Sequence, residues 1–372
     1  MQEEVIQALA FSAPALSAFS CLVIMMLDAF HSNKNRQERE LRLYLSLTYL
    51  VATLCWTGLV LQVTNHNVFV HYQTLFLFTL MMDQVLIYRF VYTITATTEQ
   101  RCRFCWLHFV FPALLTSISA VSALTIPFEQ RMAVIYNTGE NVGNVWFGLL
   151  YSLSGIVFIV YNILYPVFGL LRIRRYRRSV VDYSADAQRT SLSWLSIMLA
   201  LTLITIPVPL AGMLLCMDVF NNFWSSMQGV LPTFFIYPIL CYNLLSDNYV
   251  IMSPDDDCLP SDKAALIDPK QFSKYMRDKK PYLNPKLRIT DICRGLGTNR
   301  TYLSEFINKK YGMNFSRFIN CCRLEELERL RTSLPDKKYS NMDLVLMAGF
   351  SSYRSYLNVK NKEDDARLLK VF

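Results

Sequence analysis

At 372 residues, the chain is long enough for two or three domains, and its 53% hydrophobic content is high. Residues 270–372 hold 22 Lys and Arg against 11 Asp and Glu, so the net charge of +8 belongs to that part and residues 1–269 are net acidic. A disulfide scaffold is excluded by the placement of the ten cysteines: Cys21, Cys55 and Cys241 sit in apolar runs, and Cys258, Cys293, Cys321 and Cys322 fall in the C-terminal part.

From the N-terminus, seven apolar runs follow one another, at about 8–30, 43–63, 74–95, 105–126, 145–171, 190–216 and 229–246. A helix needs roughly 20 such residues to cross a bilayer, so the runs predict an all-α, seven-helix transmembrane bundle over residues 1–246. Glu3 and Glu4 open the chain in place of basic residues, which argues against a cleaved signal peptide. The first, third and fifth connections carry Lys34, Arg36, Arg39 and Arg42, then Arg101 and Arg103, then Arg172, Arg174, Arg175, Arg177, Arg178 and Arg189. The N-terminus and the other connections offer only Arg131. Positive loops stay in the cytoplasm, so the N-terminus is expected outside and, after an odd number of spans, the C-terminal part inside the cytoplasmic (inner) membrane.

Charged groups at membrane depth invite a functional reading. Asp83 and Arg89 lie six residues apart in the third run, about 9 Å along a helix and on different faces of it. They form either an intramembrane sensing site or, more plainly, an Asp bonded to a neighbouring helix and an Arg reaching the interface. His66 and His71 in "TNHNVFVHY" are placed in an outer loop and are too few for a metal site. His108 in the fourth run is an interhelical donor, and Cys102 and Cys105 in "CRFC" have no second pair to complete a zinc site.

Residues 247–269 change character, with Pro254, Pro260 and Pro269 around Asp255, Asp256 and Asp257, as in an extended acidic linker. Helical punctuation then returns. Phe272, Tyr275 and Met276 form one stripe, and Pro281 and Pro285 interrupt it. Ile289, Ile292 and Cys293 line the inner face of a short helix that ends at the turn "GLGTN", where Thr298 or Asn299 caps the next helix. In that helix Tyr302, Leu303, Phe306 and Ile307 face inward and Arg300, Thr301, Ser304, Glu305 and Asn308 outward. Two helices around a glycine turn, the second with polar outward residues, match a helix-turn-helix.

The run "DICRGLGTNRTYLSEFINKKYGMNFSRFINCCRLEELERL" resembles the bacterial AraC-type DNA-binding domain, through Tyr302-Leu303-Ser304, Gly312 before Phe315, and Phe318-Ile319 opening a long helix that contains Arg323-Leu324. A second unit is marked by Gly349-Phe350 in "DLVLMAGFSSYRSYLNV". The resemblance covers about residues 270–360 and implies two helix-turn-helix units joined by a helix at about 316–332. It further implies base reading by Arg300, Thr301, Ser304, Glu305, Tyr353, Arg354 and Asn358. Lys309, Lys310, Lys337 and Lys338 would touch phosphates. The family has an aromatic at the position of Lys360, then Gly and Pro before a closing helix; here the chain continues "KNKEDDARLLKVF", so the last helix of the domain (270–372) is altered or truncated.

No catalytic constellation, cofactor motif or metal motif is found, and residues 247–372 contain no His. The expectation is a membrane-embedded, non-enzymatic transcription regulator that binds double-stranded DNA, with its bundle in the lipid bilayer responding to a signal molecule or partner protein. A homodimer is compatible with the sequence. The alternative is a seven-span receptor or transporter whose basic tail binds protein or lipid and does not read DNA.

Overall fold

The computed structural model describes residues 2–31, 36–96, 104–136, 145–205, 223–252, 267–334 and 339–363. Among them every regular element is helical. The chain divides into two compact units: Met1–Ile94, Arg101–Ile173 and Ser193–Asp247 form the first, and Thr95–Gln100, Arg174–Leu192 and Asn248–Phe372 the second. The second unit thus takes in a connection, Arg174–Leu192, that the sequence places with the membrane half.

The first unit contains α1 (Gln2–His31), α2 (Arg36–Thr64), α3 (His66–Thr95), α4 (Leu107–Leu124), α5 (Phe128–Tyr136), most of α6 (Val145–Val180), α8 (Ser193–Thr205) and α9 (Phe223–Leu245). Five of these, α1 to α4 and α6, are long and apolar enough to cross a membrane, and two shorter apolar helices cover Arg189–Thr205 and Gly229–Leu245. The polarity is inverted relative to a soluble protein. Leu9, Leu16, Leu27, Val121 and Leu124 are more than 60% exposed, while Gln73, Thr79, Thr48 and Ser46 are buried. A surface of this kind is stable against hydrocarbon and not against water.

Local chemistry accounts for where the expected spans shift. The outer loop expected around His66 and His71 is helical instead. Asn65 alone separates α2 from α3, because its side chain accepts from Val68 N at 3.1 Å and caps the new helix at once. The sixth run is broken near its start by Leu192, which is buried with φ 45°; its further half, 206–216, lies outside the described residues. In α9, Pro238 has no N–H to offer the carbonyl of Phe234, and the Ser17 hydroxyl of α1 donates to that oxygen at 3.1 Å. At one end of the same bundle Arg42, fully buried, pairs with Asp28 of α1 and with Asp247 at 3.4 Å.

The second unit contains α7 (Ala187–Ser191), α10 (Pro269–Lys279), a 3-10 turn (Pro281–Leu283), α11 (Ile289–Leu296), α12 (Arg300–Tyr311), α13 (Phe315–Ser333), α14 (Asn341–Met347) and α15 (Tyr353–Glu363). Two small cores share α13. In the first, Phe272 of α10 meets Phe306 at 5.1 Å and Phe318 at 5.6 Å, over buried Ile292, Leu303 and Ile307. In the second, Leu327 packs with Val345, Ala348, Phe350, Tyr356 and Val359. The long helix expected at about 316–332 is α13.

Candidate functional site

The turn between α11 and α12 is built as the sequence suggests. Gly297 takes φ 65°, a conformation that favours glycine, and Thr298 N donates to Cys293 O at 3.1 Å, closing α11. Of the two candidate caps it is Asn299 that works: its side chain accepts from Tyr302 N at 2.9 Å. Leu303 and Ile307 are buried and Tyr302 and Phe306 half-buried, which fixes the rotation of α12. Thr301, Glu305, Asn308, Lys309 and Lys310 are consequently exposed, and Arg300 and Ser304 partly so. Glu305 is paired with Lys309 at 2.6 Å, an exposed contact that contributes little to stability.

The second helix pair is closed by a backbone device. Gly349 N donates to Leu346 O at 3.0 Å and Phe350 N to Val345 O at 3.3 Å, the double bond pattern that ends a helix on a left-handed residue. Gly349 has φ 94°, and a Cβ there would fall on the Tyr282 carbonyl and 2.7 Å from Leu283 Cα. On α15, Arg354 and Asn358 are exposed. Tyr353 is half-buried against the second core, with its ring 5.6 Å from Tyr356, so packing claims most of its surface. Lys337 and Lys338 lie outside the described residues.

Between the two pairs sits Arg323 of α13, 1% exposed. Its guanidinium donates to Tyr282 O and Asn284 O, both at 2.8 Å, and to Asn320 Oδ1 at 3.2 Å. Burial lowers its pKa to about 10, far enough above neutrality that it stays a cation. One turn further along, Glu326 accepts from Lys280 at 3.0 Å, Arg329 at 2.7 Å and Tyr282 Oη at 3.4 Å. Burial pushes this carboxyl up, but the Lys280 and Arg329 cations outweigh it and hold it below the usual range. Arg323 is visible in the sequence only as part of a motif; its role as an anchor of backbone carbonyls carries no local signal.

In the first unit, the Arg89 guanidinium lies 4.5 Å from the Phe104 ring centroid, 5.1 Å from Tyr44 and 5.7 Å from Tyr92. Asp83 is separate from it, and its buried Oδ1 has no hydrogen-bond partner. The structure does not bring the two into one site. His108 Nδ1 meets Tyr165 Oη at 2.9 Å, linking α4 to α6, and His66 stacks on Tyr136 at 4.2 Å. Among the described residues no His, Cys, Asp and Glu cluster could hold a metal ion. Cys105 is a free, exposed thiol, and Cys102 lies outside the described residues. Compared with protein families, with curated proteins and with solved structures, the chain finds no match.

Proposed function

We propose that this chain is a transcription regulator embedded in the cytoplasmic membrane, whose AraC-like second unit binds specific double-stranded DNA. The observation that carries the reading is the pair of helices α12 and α15. Each follows a glycine-containing turn and bears exposed polar residues, within a part of the chain rich in Lys and Arg. The helix α13 that joins the pairs has 19 residues and is therefore about 28 Å long, the scale of the roughly 34 Å between successive major-groove faces.

In this reading Arg300, Thr301, Ser304 and Glu305 contact base edges from α12, and Arg354 and Asn358 from α15, with Tyr353 offering no more than its hydroxyl. Lys309 and Lys310 neutralise phosphates. The reading takes the sixth and seventh apolar runs as spans beside the five long helices, although α8 itself has 13 residues and is too short to cross. On that reading the Lys and Arg distribution implies an N-terminus outside and a basic unit in the cytoplasm. The membrane unit is the sensor, and Asp83, an acid at membrane depth with an unpartnered oxygen, is its leading contact residue.

The test uses the full chain in lipid nanodiscs and a randomised duplex pool. The expected result is enrichment of a defined sequence, with affinity falling steeply as salt rises. An Arg300→Ala, Glu305→Ala variant should lose preference at the matching base pairs, about 1–3 kcal/mol at each. Binding that is blind to sequence, or that is given equally to anionic vesicles, would replace this reading with a basic tail that docks on lipid.

A further inference from the structure

The connection Arg174–Leu192 is not a passive loop. Its stretch 181–186 is laid along the helical unit as an extra element. Ser184 forms an isolated antiparallel bridge with Arg288, flanked by Ala185 N to Leu287 O at 3.4 Å and Ile289 N to Tyr183 O at 3.0 Å. Ser316 N donates to Val181 O at 3.0 Å, at the start of α13. Further along α13, Asn320 Nδ2 and Arg323 Nη1 reach Ala185 O at 3.5 and 3.4 Å. Ser351, just after the glycine turn of the second pair, donates to Asp186 Oδ1 at 3.4 Å. One short segment therefore holds α11, α13 and the α14–α15 turn at the same time. Tyr183, Ser184, Ala185 and Asp186 are each at most 2% exposed, a burial that an ordinary surface loop does not reach.

The same segment occupies the first residue of α12. The Tyr183 ring lies 5.4 Å from the Arg300 guanidinium and 6.0 Å from that of Arg288. Asp182 is near enough for the Arg300 charge to act on it: burial pushes the Asp182 carboxyl up, and Arg300 pulls it partly back. Arg300 is thus covered by an aromatic face, which competes with a guanine edge for a guanidinium, and has a negative charge in its neighbourhood without a direct ion pair. The segment is also covalently continuous with α6 on one side and, through α7, with α8 on the other.

We propose that residues 181–186 form a clamp that keeps the helical unit from binding DNA by holding Arg300 and fixing the two helix pairs in one arrangement, and that strain in α6 and α8 releases it. The proposal rests on the DNA-binding reading above. In the docked state the competent fraction is small, so the apparent affinity of the whole chain is reduced by that fraction.

Directly opposed residues of an antiparallel pair that do not share hydrogen bonds stand about 4.5 Å apart at Cα, within reach of a disulfide. Ser184→Cys with Arg288→Cys in the full chain in nanodiscs is therefore the test, with each single variant as control. The expected result is a cross-link on oxidation, a loss of duplex binding of at least tenfold, and recovery on reduction. The milder Asp182→Asn, which removes the negative charge near Arg300 while keeping the side chain's size, should tighten duplex binding several-fold. Failure to cross-link would show that the segment is not docked and overturns the clamp. A cross-linked protein that binds duplex as well as the reduced one overturns it too. If the cross-link forms but the reduced protein and Asp182→Asn select no duplex at any salt, the DNA reading itself falls, and the clamp with it.

Discussion

The two helix pairs of the second unit are alike in outline and differently secured. The α11–α12 pair turns at Gly297 with open space around it, and carries an Asn299 cap and a core in which Phe272 meets Phe306 and Phe318 ring to ring. The α14–α15 pair has a Ser340–Asp343 cap and the same kind of glycine closure, but Gly349 lies against the Tyr282 carbonyl, and the pair's core is one small aliphatic cluster with Phe350 and Tyr356. It also leaves Met342, Leu346 and Met347 exposed, whereas no large apolar side chain of α11 or α12 is. Both cores use α13, the first together with α10 and the second together with a close contact to the 3-10 turn. Strain placed on the Gly349 side of that contact should open the second pair alone, whereas removing the α13 side chain that anchors the 3-10 turn should loosen both.

The largest effect is expected from Gly349→Ala. A methyl group there meets backbone that cannot move aside and forces a strained φ, costing about 4 kcal/mol. Hydrogen exchange of the full chain should then show α14 and α15 opening about a thousandfold more often while α12 stays protected. Equal opening of both pairs would mean that they are one cooperative body. Arg323→Met comes next, at about 3 kcal/mol, because it leaves the buried Tyr282 carbonyl and the part-buried Asn284 carbonyl without their donor. Unlike the glycine change it should loosen both pairs. Asn299→Ala removes one helix cap and should cost about 1 kcal/mol, confined to α12.

The smallest effect is a pH dependence at Glu326. Its carboxyl is held below the usual range in the folded chain, so its contribution is fully present above about pH 4.3, the ordinary value for Glu. That contribution is lost as pH falls through the lower folded value. Protection of α13 should therefore decline on the acid side of pH 4.3 in the native chain and more weakly in Glu326→Gln. An unchanged acid limb would show that the Lys280 and Arg329 contacts contribute nothing net.

Helix existence was legible wherever period and punctuation agreed. The Phe272–Met276 stripe, the Asn299 cap and the apolar lengths of five membrane helices all follow from side-chain chemistry within a few residues. Boundaries set by single polar atoms were less so: Asn65 capping α3 shortens an expected loop to one residue, and Leu192 divides an apolar run. Contacts distant in the chain were not legible at all. "VDYSAD" has no motif, and its pairing with Arg288, Ser316 and Ser351 joins residues more than 100 positions apart. Arg42 shows the same limit. It counts as a cytoplasmic loop charge by position yet is buried among carboxylates, and removing it from the tally leaves the Lys and Arg asymmetry standing.

That buried guanidinium also bears on the order of assembly. A cation shut away from water is tolerable only beside its counter-charges. Asp28 arrives with the preceding helix, so α1 and α2 can settle as a hairpin before the remainder has emerged. Asp247 comes 205 residues after Arg42, just past the end of α9. Asp28 by itself already neutralises the guanidinium; the second ion pair forms only once nearly the whole bundle has been synthesised, and it is the latch by which the end of the final helix is fastened to the first two.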